Sequence, residues 1–241
     1  MNIKEMHYDF KQKLNKIDSE QYRNLKVPEI DWKLNEAIEL FVKIVAEPKH
    51  ATKLGFETSQ RVIDDIRPLV CDGVLLVSAG TKTTDITTPI FTLPEDYFDY
   101  ISSAMVIKQG TCLANAERII VRQHDDDFQA SPFDKSSFLW REVNIRFSKA
   151  GILVYTSDEF DVQSFYLDYI KQPASVNNSE SFIGGSYKTL TGVVLTTNVD
   201  CDLPSTVHRE VVDLAVAITT ADLQIPDYQI KKDKLSYNQL T

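Results

Sequence analysis

The stretch PSTVHREVVDLAVAITTADL, residues 204–223, decides how the rest of the chain is read. Val207, Val211, Leu214, Ala215, Ile218 and Leu223 fall on or near one face of a helix. Pro204 suits the first helical position, where its missing N–H costs nothing. A face of that kind needs apolar partners, and the nearest helical patterns are at the opposite end of the chain.

The first seventy residues supply them. Ile3, Met6, Phe10, Leu14 and Ile17 make one stripe, which Asp18 and Ser19 break. Pro28 suits the first turn of a second helix, with Ala37, Ile38, Phe41, Val42 and Val45 facing inward and Pro48 ending it. A third helix, capped by Thr58 or Ser59, would turn Val62, Ile63, Ile66, Leu69 and Val70 inward, with Pro68 near its end. The helix at 204–223 is expected to pack back on these three.

The character changes at Cys71, Asp72 and Gly73. Short runs rich in Val, Ile, Phe, Tyr and Thr follow at 74–77, 90–93, 104–108, 119–121, 143–147, 152–155, 164–170 and 193–197. Gly, Pro, Asp and Ser clusters bound them, which predicts strands. Lys149, Ala150 and Gly151 read as a hairpin turn between two of them. A helix is also predicted from Pro94, in PEDYFDYI, by the same proline argument as at Pro204. Residues 172–187, QPASVNNSESFIGGSY, are polar with a glycine pair and read as a long loop.

The expected fold class is therefore α+β: a helical bundle formed by both chain ends, with an inserted antiparallel β-rich module. The expected divisions are 1–70 (helical), 71–202 (β-rich), 203–223 (the completing helix) and 224–241 (an extended tail).

Composition supports an ordered fold. The 241 residues are 43% hydrophobic and 25% charged, ordinary for a globular protein that needs no staples. The net charge of −9 argues against a sequence-independent grip on nucleic acid, which needs Lys and Arg to neutralise phosphates. Cys71, Cys112 and Cys201 are odd in number and widely spaced, with no CxxC. They predict neither a disulfide framework nor a zinc site, and they suit a reducing compartment. The charged N-terminus lacks the apolar region of a signal peptide, and no apolar run is long enough to span a bilayer. A soluble protein made in a cytoplasm is expected.

Catalytic chemistry finds little support. His124, Asp125, Asp126 and Asp127 are four consecutive ligand types that cannot all face one ion on a regular element. His208, Arg209 and Glu210 miss the HExxH pattern, since Arg209 follows the histidine and Val212 stands where the second would be. The pairs Asp64 with Asp65 and Asp158 with Glu159 sit in no motif. Gly184 and Gly185 belong to no phosphate loop, and no cysteine or serine sits in a nucleophile motif. Tyr97, Phe98, Tyr100, Phe138, Trp140, Tyr166 and Tyr169 are expected to serve packing rather than a sugar or base platform. No catalytic residue, metal ligand or cofactor is predicted, and no enzyme activity.

Four blocks carry a resemblance: IDWKLNEAIELFVK (30–43), FTLPEDYFDYISSAMV (91–106), FYLDYIKQPASV (165–176) and CDLPSTVHREVVDLAVAITTADLQIPDYQ (201–229). Together they resemble virion structural proteins of crAss-like tailed phages. More loosely, the layout is similar to head-to-tail adaptor proteins of podoviruses, which have a helical bundle, a β-rich extension and an ordered C-terminal tail. That resemblance implies a structural subunit in the phage neck, forming a closed ring of about twelve copies below the portal. The implied partners are other copies of this chain, the portal and adjoining neck or tail rings. DNA would pass through the lumen without sequence-specific binding, no membrane would be involved, and subunits would assemble in the host cytoplasm. The tail 224–241, at most about 60 Å long when extended, is expected to reach a neighbour through Ile225, Pro226, Tyr228, Ile230, Leu235 and Tyr237, with Lys231, Lys232 and Lys234 meeting an acidic strip. Loop 172–187 is a second candidate contact. The rival readings are another virion tail component (terminator, hub or lower ring) and a glycan- or host-binding module.

Overall fold

A computed structural model describes residues 1–15, 25–46, 64–83, 87–122, 134–189 and 191–222. The chain divides into two compact units, Met1–Leu69 with Pro173–Thr241, and Val70–Gln172. The structure is α+β.

In the first unit, α1 (Ile3–Asn15) and α2 (Val27–Ala46) both pack against α3 (His208–Asp222). The apolar stripe of α1 is buried as the spacing predicts, at Ile3, Met6, Phe10 and Leu14. On α2 the buried residues include Ile30, Leu34, Ala37, Ile38, Phe41 and Val42, and Pro28 stands in its first turn. α3 is buried round most of its girth, because Val212, Val216, Ala217, Thr219 and Thr220 are covered as well as Val211 and Ala215. It begins four residues later than expected. Val207 N–H donates to Pro204 O (3.0 Å), closing a turn, and the helical bonds start with Val211 N–H to Val207 O. Pro204 is therefore a turn residue rather than the first helical one. Of the third expected helix, residues 58–63 lie outside the described residues. Ile66 and Leu69 are buried as expected, the latter in a 3-10 turn (Arg67–Leu69), but Val70 already opens the first strand.

The same unit holds a two-stranded hairpin, β10 (Tyr187–Lys188) with β11 (Val194–Leu195). Before it, residues 173–186 are irregular apart from a 3-10 turn (Ser179–Ser181).

The second unit contains two sheets. One runs in the order β1 (Val70–Leu75), β9 (Asp161–Lys171), β4 (Tyr97–Gln109), β5 (Cys112–Asn115), all antiparallel. The other runs β2 (Ser78–Thr83), β3 (Thr87–Phe91), β8 (Gly151–Tyr155), β7 (Glu142–Ser148), β6 (Arg118–Val121). Period-two alternation is clear on β9, where Phe165, Leu167 and Tyr169 are buried and Ser164, Tyr166 and Asp168 are not. Both sheets contribute to one hydrophobic cluster. Phe91 of β3 meets Phe165 of β9 edge to face, ring centroids 5.2 Å apart.

Two expectations are corrected here. The segment from Pro94 is not a helix. Tyr97 N–H donates to Pro94 O (3.2 Å), so the proline sits in a turn, and residues 97–109 then form the longest strand, β4. The helical spacing of Tyr97, Ile101 and Met105 loses to pairing with β9 over most of its length, which buries Met105 and Ile107. The β-rich module is also not wholly antiparallel, because β6 pairs β7 in parallel, Arg118 opposite Glu142. Parallel neighbours need a long crossover, which no local turn signal announces. The hairpin at Lys149 and Ala150 forms as read, joining β7 to β8.

Candidate functional site

Asp31 is an acid on the buried side of α2, between Ile30 and Leu34, and only 2% exposed. A carboxylate there must be satisfied by donors, and three segments supply them. His7 Nε2, from α1, lies 2.7 Å from Oδ1. The Asn178 backbone N–H lies 3.2 Å from both oxygens. Tyr187 Oη, from β10, donates to Oδ2 at 2.6 Å. With the carboxylate accepting, Nε2 is the protonated nitrogen of His7. Burial, then the bond to Asp31, pushes the Tyr187 phenol well above its ordinary value.

One turn along α2, Asn35 reads the same backbone segment. Its Nδ2 donates to Val176 O (2.9 Å) and its Oδ1 accepts from Val176 N–H (2.8 Å). That amide imitates a strand partner for one residue. Val176, Asn177, Asn178 and Ser179 are buried, so the middle of the loop 172–187 faces inward. What it leaves outside is its tip, where Ile183 is 94% exposed beside Gly184 and Gly185, both at positive φ. A histidine, an aspartate and a tyrosine in contact are familiar catalytic types, but here all three are engaged with one another inside the unit. Their arrangement fixes the strap from 176 to 187 against α1 and α2.

The other singled-out residues fall elsewhere. His208 is the buried first residue of α3, with Nε2 2.8 Å from Leu203 O. Asp213 forms an ion pair with Lys13 (3.0 Å). Asp64 is exposed, and Asp158 and Glu159 occupy an exposed turn in which Ser157 and Asp158 have φ of 53°. Among the described residues no three His, Cys, Asp or Glu side chains are grouped as metal ligands. His124, Asp125, Asp126 and Asp127 lie outside the described residues. So do all nine tail anchors, Ile225, Pro226, Tyr228, Ile230, Lys231, Lys232, Lys234, Leu235 and Tyr237. All three cysteines are free.

The aromatics of the second unit mostly pack on one another. Tyr97 stacks on Phe147 (6.1 Å) and lies 5.9 Å from Tyr169, and Tyr100 meets Phe147 edge-on (5.3 Å). Tyr169 also donates to Asp96 (2.9 Å). Burial, then Asp99 and Tyr100, pushes the Tyr97 hydroxyl up to about 12. Tyr166 and Trp140 are exposed, Trp140 the more so. Trp140 and Leu139, 73% and 78% exposed, form the tip of a turn ahead of β7. Arg141, at φ 53°, ends that turn. Its carbonyl accepts from Glu117 and Arg118 N–H (2.9 and 3.2 Å), and its guanidinium pairs with Glu117. A strained residue held by that many bonds presents its two apolar neighbours in a fixed pose.

Sequence reasoning passed over His7, Asp31 and Asn35. The available signal was a polar side chain out of place, since His7 interrupts the stripe of Met6 and Phe10 and Asp31 that of Ile30 and Leu34.

Residues 1–227 match the family described as phage tail ring protein 3/4. The chain is also similar to "Ring protein 4/5" of Bacteroides phage crAss001, with 25% identity over 232 residues, covering 93% of this chain and 94% of that one. No helix among the described residues is long and apolar enough to cross a membrane. A match running from the first residue through α3 spans both compact units, so the chain belongs to the phage tail ring protein 3/4 family, as a structural ring protein of a crAss-like phage virion.

Proposed function

We propose that this ring sits in the neck, as a connector between portal and tail. The observation that carries the reading is the family match through nearly the whole chain. The match covers residues 1–227 and so takes in both compact units. The ring lies below the portal.

In this reading the helices of both chain ends form the module that packs side by side around the axis. The β-rich unit Val70–Gln172, rather than the whole of 71–202, forms the inserted module that projects outward or tailward. Identical contacts repeat around a closed ring of about twelve copies. The tail 224–241, through the nine anchors from Ile225 to Tyr237, and the exposed tip of loop 172–187 reach neighbouring copies, the portal or an adjoining ring. DNA moves through the lumen without sequence-specific binding, and the net charge of −9 offers no broad basic grip on it. Assembly takes place in the host cytoplasm, and no reaction is catalysed.

Imaging of purified particles at a resolution that traces side chains tests this. The expected result is a closed ring of this chain between portal and tail. Finding it at the tail tip, or absent from the particle, overturns the neck assignment.

A further inference from the structure

The hairpin of β10 and β11 is too small to stand alone. Two strands of two residues need a third strand or a covering surface to be stable in water. Yet Val193 and Val194 are 57% and 51% exposed. The hydrogen-bond pattern says which backbone groups are on offer. Thr189 N–H donates to Val193 O (2.9 Å), so those two form a hydrogen-bonded pair, and the next pair, Lys188 with Val194, is non-hydrogen-bonded. In such a pair the N–H and C=O of both residues point away from the hairpin. Among the described residues the sheet has only these two strands, and the outward groups of Val194 have no backbone partner there. An exposed edge with apolar side chains and no charge on β11 is what natural proteins block unless a strand is meant to add.

The sequence contains a segment whose pattern suits such a strand. Pro226, Tyr228, Ile230 and Lys232 alternate with Asp227, Gln229 and Lys231, a period of two that puts Tyr228 and Ile230 on one face. This segment begins four residues after the end of α3, so three linker residues, at most about 10 Å extended, hold it close to the helical unit.

We propose that residues 226–232 of a neighbouring copy add to the free edge of β11, with Val194 exchanging backbone hydrogen bonds and the Tyr228 and Ile230 face covering the Val194 side chain. Strand addition takes its affinity from the main chain and its specificity from alternate side chains. The contact is head-to-tail, because the donated strand and the receiving edge are different surfaces of one chain, and repeated around an axis it closes a ring. The inference rests on the ring reading and names the contact that joins one copy to the next.

The test is a map of the ring in purified particles, together with incorporation of two variants. The expected map shows a third strand on β11 that traces to 226–232 of the adjacent copy. A β11 edge that is bare, covered by another protein or paired with the same copy's own tail overturns the proposal while the ring stands. A particle with no ring of this chain overturns the ring reading along with it. Val194→Pro removes the outward N–H and none of the hairpin's inner bonds, and is expected to cut incorporation into particles at least tenfold. The double variant Tyr228→Asp with Ile230→Asp leaves the hairpin untouched and should do the same, with thermal unfolding of the free subunit unchanged. Normal incorporation of that double variant overturns the proposal.

Discussion

Tyr187 Oη lies 2.6 Å from the Oδ2 of Asp31, across 156 positions of sequence. His7 reaches the same carboxylate from α1, and Asn178 N–H from the strap before β10. One buried charge therefore sets the position of three segments that share no local signal. Each donor is a hydrogen bond to an ionised group, the stronger kind.

Removing that charge should cost more than removing any one donor. Asp31→Ala leaves the buried His7, the buried Asn178 N–H and the half-buried Tyr187 hydroxyl without their acceptor, and is expected to lower stability by about 3–5 kcal/mol over the three lost bonds. Tyr187→Phe removes one donor and is expected to cost about 1.5–3 kcal/mol. Urea unfolding of the purified subunit measures both. Equal losses would mean that Asp31 acts through Tyr187 alone.

Asn35 should matter for the strap more than for the helices. Asn35→Ala breaks both bonds to Val176 and is expected to cost about 1–3 kcal/mol. Limited proteolysis should then cut within 173–187 before it cuts α1 or α2. Unchanged cleavage there would show that the strap is held by other contacts.

Alkaline pH should destabilise the protein. The Tyr187 and Tyr169 phenols are pushed up, by burial first and then by their bonds to Asp31 and Asp96, and Tyr97 is pushed up to about 12. A phenol ordinarily ionises near 10. A group whose value is raised on folding contributes stability that is whole below the unfolded value and is lost as pH rises through the folded one. The midpoint of thermal unfolding should thus be insensitive to these groups below pH 9 and fall above pH 10. Tyr187→Phe should flatten that fall. Phenolate absorbance of the folded protein should rise later than that of the unfolded chain.

Gly151 closes the hairpin between β7 and β8 at φ 130°, a conformation side chains rarely adopt. A Cβ there would collide with the carbonyl of Phe91 on β3. Gly151→Ala is expected to cost about 3 kcal/mol through strain and displacement of β3. Circular dichroism and denaturant unfolding would report it. A neutral result would mean that the β3–β8 pairing yields more easily than its geometry suggests.

Where the sequence was informative, the signal was local and periodic. Ile3, Met6, Phe10 and Leu14 repeat at helical spacing and are buried along one stripe of α1. Lys149 and Ala150 lie between two β-rich runs and form the expected turn. These features follow from nearest neighbours in the chain, and any packing that buries the stripe preserves them. The family resemblance was legible for a similar reason, because blocks such as CDLPSTVHREVVDLA keep their order whatever they contact.

The tertiary structure decided the rest. Tyr97, Ile101 and Met105 have helical spacing, but β9 offers a ladder that a helix could not fill, so residues 97–109 are strand. The parallel pairing of β6 with β7 depends on a crossover, not on any turn. The loop 172–187 reads as polar surface, yet its middle is buried because Asp31 and Asn35 await it on α2. A periodic pattern fixes which residues are apolar on one face. The partner that a buried carboxylate or a strand edge will find is set by contacts between residues distant in sequence, 24 positions for His7 with Asp31 and 147 for Asn178 with Asp31, and no local preference encodes them.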